Sequence, residues 1–243
     1  MRCVSRCAGA AVLAAIFAAE FARADQVIEL RENPAFLLFS GMDLWRHGSF
    51  TYGGVLWSPD GIDKPGFTFK TMLGGGGYRY RSGTLGQEVN GEQIVGFALP
   101  GWRFRSGDTF LTLFAGLDVQ RHRLQPDDPG NPLRGTHAGL RVAAELWMQP
   151  TPHTMFAADA SVSSVGPSYA ARAAFGWQVF GRFYLGPEIQ AFRGDDAYQQ
   201  WRIGLHLTGL KAGGFEWNAA IGYADDTDDR DGLYVRGGLQ LRQ

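Results

Sequence analysis

The sequence lacks most of what would define a soluble enzyme. Its only two cysteines, Cys3 and Cys7, lie within the first 24 residues. The remainder has none, which excludes a disulfide framework and any thiolate metal centre there. Charge of one sign is also missing: 23 Lys and Arg face 24 Asp and Glu. The first 24 residues hold three Arg and one Glu, so 20 basic and 23 acidic residues remain, a net charge near −3. A nucleic-acid-binding domain would be basic. Beyond the first 24 residues no apolar run approaches the 18 or so residues of a membrane-spanning helix. No His-Glu-x-x-His, Gly-x-Ser-x-Gly or Gly-Lys-Ser/Thr pattern occurs, so the usual zinc-peptidase, serine-hydrolase and P-loop signatures are absent.

What is present starts with a leader. Arg2 and Arg6 precede an Ala-rich apolar stretch over 8–19, and Ala22-Arg23-Ala24 is a small-x-small cleavage site. That pattern predicts a secretory signal peptide over 1–24 and one mature domain over 25–243. Neither cysteine follows the Leu-x-x spacing of a lipidated leader.

The mature part alternates. Leu233, Val235, Leu239 and Leu241 share one parity, and Tyr234, Arg236, Gln240 and Arg242 the other. Trp201, Ile203, Leu205 and Leu207 alternate with Arg202, Gly204, His206 and Thr208. The same holds over 138–146 and 215–223. A period of two means strands with one apolar and one polar face. The segments are longer than most soluble strands, and the apolar parity often starts or ends in an aromatic: Trp102, Phe104, Phe156, Trp177, Trp201, Tyr223. Both features fit strands that cross a bilayer with an interfacial aromatic girdle. With 34 Gly, 13% aromatics and a mean hydropathy of −0.16, an all-β transmembrane antiparallel up-and-down β-barrel of about twelve strands accounts for the chain.

The spacing predicts strands over 35–46, 49–58, 66–81, 90–105, 108–121, 135–148, 153–164, 168–180, 182–193, 197–210, 212–223 and 232–242. Longer polar loops are expected at 82–89, 122–134 and 224–231. Short turns are expected at Ser106-Gly107, Gln149–Pro152, Gly181 and Lys211. Long and short connections on alternate ends are what outer-membrane barrels show, with both termini on the periplasmic side. The connection over 59–65 is long for a periplasmic turn, and the chain ends in Gln243 where many such barrels end in an aromatic.

On the polar parity lie Asp43, Lys70, Arg103, Asp118, Arg141, Glu145, Asp159, Arg172, Glu188, Arg202, His206, Glu216 and Arg236. Mixed signs in a narrow lumen predict a plug of ion pairs, since buried charges need partners. Phe110, Phe114, Trp147, Tyr184 and Tyr234 share that parity; they either fill the lumen or offer faces to sugar rings. The five histidines form no catalytic pattern, so no catalytic residue is assigned; an outer-leaflet hydrolase acting on lipid or glycan is the alternative class, and a small passive channel is another. The acidic run Asp225–Asp231 has oxygen ligands but not EF-hand spacing, and reads as a solvated loop. No metal and no cofactor is expected. Gly74-Gly75-Gly76-Gly77, ahead of Tyr78-Arg79-Tyr80-Arg81, suggests a bulge or bend, which leaves the direction of Tyr78 and Arg79 open.

Ser40-Gly41-Met42-Asp43-Leu44-Trp45, Tyr52-Gly53-Gly54 and the glycine run into Tyr78-Arg79-Tyr80 come in an order that resembles the cellulose biosynthesis protein BcsS family. The likeness covers the first third; the rest shares only the strand-and-glycine character. It implies an outer-membrane accessory of cellulose or related exopolysaccharide biosynthesis and secretion. The partners it implies are outer-membrane lipid, the glycan and other cellulose secretion proteins, with no nucleic acid. Asp43, Trp45, Tyr78 and Tyr80 are its family-specific glycan-binding candidates, and the lumen aromatics Trp147, Tyr184 and Tyr234 join them.

Overall fold

The computed structural model describes residues 33–194 and 198–243; the expected leader lies outside them. Twelve strands follow in order: β1 (Phe36–Trp45), β2 (Gly48–Trp57), β3 (Gly66–Arg81), β4 (Glu88–Ser106), β5 (Thr109–Gln125), β6 (Gly135–Thr151), β7 (Thr154–Ser163), β8 (Ser168–Val179), β9 (Phe183–Arg193), β10 (Gln199–Ala212), β11 (Phe215–Asp226) and β12 (Asp231–Arg242). Each pairs antiparallel with its sequence neighbours, and β1 pairs with β12 to close the barrel. Phe36 and Gln243 exchange both backbone hydrogen bonds at 2.9 Å, so Gln243 belongs to the seam.

Alternation sorts the side chains as expected. Leu73, Leu117, Leu140, Ile203 and Leu233 are each more than 60% exposed on the outer wall, an apolar surface that only lipid would cover. Trp102, Phe104 and Trp177 lie toward the end that carries the termini, and Trp201 and Tyr223 toward the other. These are the two rims of the belt. The end without the termini carries the longer loops, 82–87 and 126–134, and is therefore the outer end.

Several boundaries differ from expectation. β5 runs to Gln125 rather than ending near 121, and the turn expected at Lys211 lies at Gly213-Gly214. There β10 continues past a register shift between Thr208 and Leu210, with Gly209 at φ 82°. The turn placed at Gln149–Pro152 is shorter, because β6 extends to Thr151.

The glycine run holds no bulge. β3 pairs without a register shift to β4 across its whole length and to β2 from Phe69 to Tyr78. Its glycines answer a packing need instead. A Cβ on Gly74 would come within 2.6 Å of the Phe50 ring, and one on Gly76 would collide with the Ser49 carbonyl. Gly41 lies under Tyr52, and Gly91 under Tyr78, in the same way. Inward aromatic rings thus lie flat on the wall, over glycines of the next strand. With the register continuous, Tyr78 and Tyr80 face inward and Arg79 and Arg81 outward.

Gly76→Ala should therefore disrupt the β2–β3 seam, since the obstacle is backbone, at a cost of about 1–3 kcal/mol or more. Gly83→Ala, with nothing within 4 Å of the added carbon, should not. Loss of heat-modifiable mobility on gels by the first variant alone is the expected result.

Candidate functional site

Midway through the lumen, carboxylates and guanidiniums pair across strands. Glu188 (β9), 1% exposed, accepts hydrogen bonds from Arg236 at 2.6 Å, Arg172 at 2.9 Å, Gln190 at 2.6 Å and the Tyr234 hydroxyl at 3.0 Å. Asp118 (β5) accepts from Arg141 at 2.7 Å, Ser163 at 2.5 Å and Gln120 at 2.9 Å. Asp43 (β1) accepts from Arg202 (β10) at 2.7 and 2.8 Å. Lys70 pairs with Glu145, and Arg172 also reaches Asp159 at 3.5 Å. Strand parity brings these groups inward, and low dielectric makes each need its partner.

The ion pairs do not fill the lumen as a plug would. Two cavities remain, of about 610 Å³ on the periplasmic side and about 630 Å³ on the outer side. Twelve strands enclose more space than these side chains occupy. Tyr52, Met72, Arg141, Asp159, Arg172 and Arg236 border both cavities and form a charged waist between them.

The periplasmic cavity is partly covered by the long 58–65 connection. Ile62, 4% exposed, donates its N–H to the Pro34 carbonyl at 2.8 Å and accepts from the Arg103 guanidinium. Arg105 donates to the Asp63 carbonyl at 2.9 Å, and Arg242 to the Asp63 carboxylate at 3.0 Å. Three arginines strap this segment across the mouth, which explains its unusual length.

The outer cavity is more aromatic. Trp45, Phe50, Tyr78, Tyr80, Tyr169, Phe192 and Tyr198 line it, with the amides of Gln93, Gln120, Gln190 and Gln200. Tyr78 and Tyr80 project from alternate positions of β3 and stack with centroids 6.1 Å apart. Their hydroxyls are tied: Tyr78 to His122 Nδ1 at 2.9 Å, and Tyr80 to Asp128 at 2.8 Å. Donors from Ser82, Tyr80 and the Gly130 N–H hold the Asp128 carboxyl below the usual carboxylate range, so it stays a charged acceptor at neutral pH. Trp45 packs edge-on to His47 at 5.1 Å, and Arg230 lies 5.9 Å over the Trp45 ring. Burial, then Arg230 and Arg46, hold the His47 imidazole below its ordinary range, and among the described residues its Nδ1 has no partner. Among the described residues the buried Gln200 amide nitrogen and the Nε atoms of Arg141 and Arg236 also lack partners. The cavity therefore sets flat aromatic faces beside the side-chain amides of Gln93, Gln120, Gln190 and Gln200.

Of the residues expected from sequence, Asp43, Trp45, Tyr78 and Tyr80 all border this cavity. Asp43 does so as the partner of Arg202. Trp147 lies in the periplasmic cavity, and Tyr184 packs against it at 6.2 Å. Tyr234 is fully buried beneath Arg202, 5.0 Å from its guanidinium. These three do not join the outer cluster. Gln120, His122, Gln190 and Gln200 were not anticipated. His122 was placed in a loop, because the outward residues of β5 turn from Leu117 and Val119 to Arg121 and Arg123 and the alternation of apolar with polar is lost. Its inward neighbours Asp118 and Gln120 carried the parity that would have found it. The acidic loop is a closed turn: Asp226 accepts from the N–H groups of Asp228 and Arg230 and from the Arg230 guanidinium. Among the described residues no group of acids, histidines and cysteines is arranged to hold a metal ion.

The family model of cellulose biosynthesis protein BcsS matches residues 37–243. No curated protein matches the chain significantly. Among solved structures, the translocator domain of autotransporter NalP from Neisseria meningitidis is similar at TM-score 0.53 and 12% identity, over 96% of this chain and 97% of that one. An outer membrane channel from Pseudomonas putida F1 is similar at TM-score 0.54 and 10% identity, over 90% and 99%. At such identities the likeness is one of fold, that of an outer-membrane barrel.

Removing the hub of the waist tests its role in stability. Glu188→Ala would leave Arg236 and the Tyr234 hydroxyl without their acceptor, and should destabilise the barrel by about 3 kcal/mol. Denaturant unfolding in micelles should show this loss, with a smaller one for Glu188→Gln.

Proposed function

The chain belongs to the cellulose biosynthesis protein BcsS family, and from that premise we propose that it is a non-enzymatic outer-membrane accessory that holds a short stretch of the glucan in its outer cavity. One observation carries this reading: stacked, hydroxyl-tethered Tyr78 and Tyr80 share the cavity with Trp45 and with the amides of Gln93, Gln120, Gln190 and Gln200. A β-linked glucan is a flat ribbon. Its ring faces present C–H groups, which pack on aromatic faces; its edges present hydroxyls, which both donate and accept. Neutral amides meet both needs, whereas a polyanion would call for a surplus of cations. In the waist four guanidiniums face four carboxylates: Arg141 with Asp118, Arg202 with Asp43, and Arg172 and Arg236 with Glu188 and Asp159. A cavity of about 630 Å³ is also within the size range of ordinary ligand sites. Tethered rings lose little freedom on binding, which favours affinity.

The non-enzymatic part of the proposal draws support from how the two inward strand histidines, His122 and His206, are engaged. His206 bonds the Phe175 carbonyl and Thr208, and His122 bonds Tyr78 and Gln120. The Thr208 hydroxyl beside His206 borders the periplasmic cavity, not the outer one, and the other ring nitrogen of His206 is taken by a backbone carbonyl and not by the carboxylate that would complete a triad.

Calorimetric titration of the purified barrel with cello-oligosaccharides tests the reading. Tyr78→Ala and Trp45→Ala should each weaken binding about tenfold, roughly 1.4 kcal/mol, while Trp147→Ala should leave it unchanged. Absence of binding to the unaltered protein would sink the proposal. In a deletion strain, secreted cellulose should fall while synthase activity in isolated inner membranes persists.

A narrow passive channel is a second reading, favoured by the six residues that border both cavities. Under it, Asp63→Asn, which frees the 58–65 strap from Arg242, should raise single-channel conductance in planar bilayers. Silence from both proteins would dismiss it.

A further inference from the structure

On one wall of the barrel the outward side chains change character above the apolar belt. Along β5 the outward series runs Leu113, Leu117 and Val119, each 45% exposed or more, and then Arg121 and Arg123. On β3 it runs from Leu73 through Gly75 and Gly77 to Arg79 and Arg81. The registers knit these into one patch. Arg121 stands between Ile94 and Thr136, Arg123 opposite Glu92, Arg79 opposite Asn90 and Arg81 opposite Glu88. Among the described residues Arg81, Arg121 and Arg123 reach no carboxylate, and Arg79 reaches only Glu88, at 3.9 Å with both side chains more than half exposed. Four arginines against Glu88 and Glu92 leave the patch two charges positive. At the same height the opposite wall is acidic: Asp225 pairs with Asp231 in register, and Tyr223 donates its hydroxyl to Asp231.

Unpaired guanidiniums directly above a hydrocarbon-covered wall stand where lipid head groups lie. Residues two apart on a strand face the same way and stand about 6.6 Å apart. Arg121 and Arg123 thus offer two forks for phosphate oxygens, the bidentate geometry that arginine makes and lysine does not. Beside and beneath them Ile94, Leu117, Val119 and Leu140 form an aliphatic strip, 47–64% exposed. The patch lies at the end away from both termini, in the outer leaflet.

We propose that this wall is a binding site for a phosphorylated, multiply acylated glycolipid of the outer leaflet. Arg121 and Arg123 hold its phosphates, Arg79 and Arg81 extend the patch, and its acyl chains lie on the strip below. Arg121 and Arg123 stand on the outside of the wall that carries Gln120 and His122 on its inside and are not part of the outer cavity, whose rim Arg79 and Arg81 reach, so the site does not depend on the glucan reading.

Thermal unfolding of the full mature protein in neutral detergent, titrated with bisphosphorylated lipid A, tests this. Native mass spectrometry of the same samples would count bound lipid independently of stability. The unaltered protein should gain a saturable rise in melting temperature and one bound lipid. R121Q/R123Q should bind at least tenfold more weakly, while the periplasmic-end control Lys211→Gln should match the unaltered protein. The dephosphorylated glycolipid should give little shift, and so should inorganic phosphate at equal concentration. Equal binding by R121Q/R123Q, or by the dephosphorylated lipid, would overturn the site. An equal response to inorganic phosphate would overturn the lipid as its ligand.

Discussion

Inside a bilayer every backbone N–H and C=O must find its partner within the protein, because lipid offers none. The rest of this structure depends on that constraint. It requires the sheet to close, and β1 and β12 do so down to the Phe36–Gln243 pair. Closure then turns the two-residue period of a strand into an inside and an outside. Every outward position within the belt must be apolar, so nearly all the polar chemistry of the chain is directed into the lumen or onto the rims.

The lumen inherits a problem from this. Twelve strands enclose a space too wide for side chains to fill and too narrow to treat as bulk water. The charged side chains settle it by pairing across neighbouring or nearby strands: Glu188 with Arg236 and Arg172, Asp118 with Arg141, Asp43 with Arg202. Their reach sets the position of the waist. Aromatic residues meet the same space differently, lying flat over the glycines of the next strand. Phe50 covers Gly74, Tyr52 covers Gly41 and Tyr78 covers Gly91. The inward glycines and the open cavities are thus linked: a side chain at Gly41, Gly74 or Gly91 would push the ring above it into the lumen.

The strand number, their order and the facing of most residues were legible in the sequence, because hydrophobic alternation is imposed by lipid on one side and water or ion pairs on the other. Legibility failed where one of these pressures stopped. Above the belt β5 faces water on both sides, so Arg121 and Arg123 alternate with Gln120 and His122 and the contrast vanishes. The glycine run was read as a bend because a glycine has no side chain to show its parity; the register that settles it is held by β2 and β4. Trp147, Tyr184 and Tyr234 share a face with Tyr78 and Tyr80, but parity says nothing of depth. Only three-dimensional register separates a periplasmic pair and a buried hydroxyl donor from the outer cluster.

Depth also gives the two halves of the lumen different character. The waist presents guanidiniums already satisfied by carboxylates, so a neutral polymer meets no net attraction there and would have to displace ordered polar contacts to pass. Above it the amides of Gln93, Gln120, Gln190 and Gln200 are set among rings, two of which are held by their hydroxyls. Below it the mouth is narrowed by Ile62 and Asp63 under their three arginines. A lumen built for transit would keep its interactions weak and similar along its length. This one concentrates its aromatic surface at the outer end and its ion pairing at the centre, and the proposed holding of a glucan rests on that asymmetry.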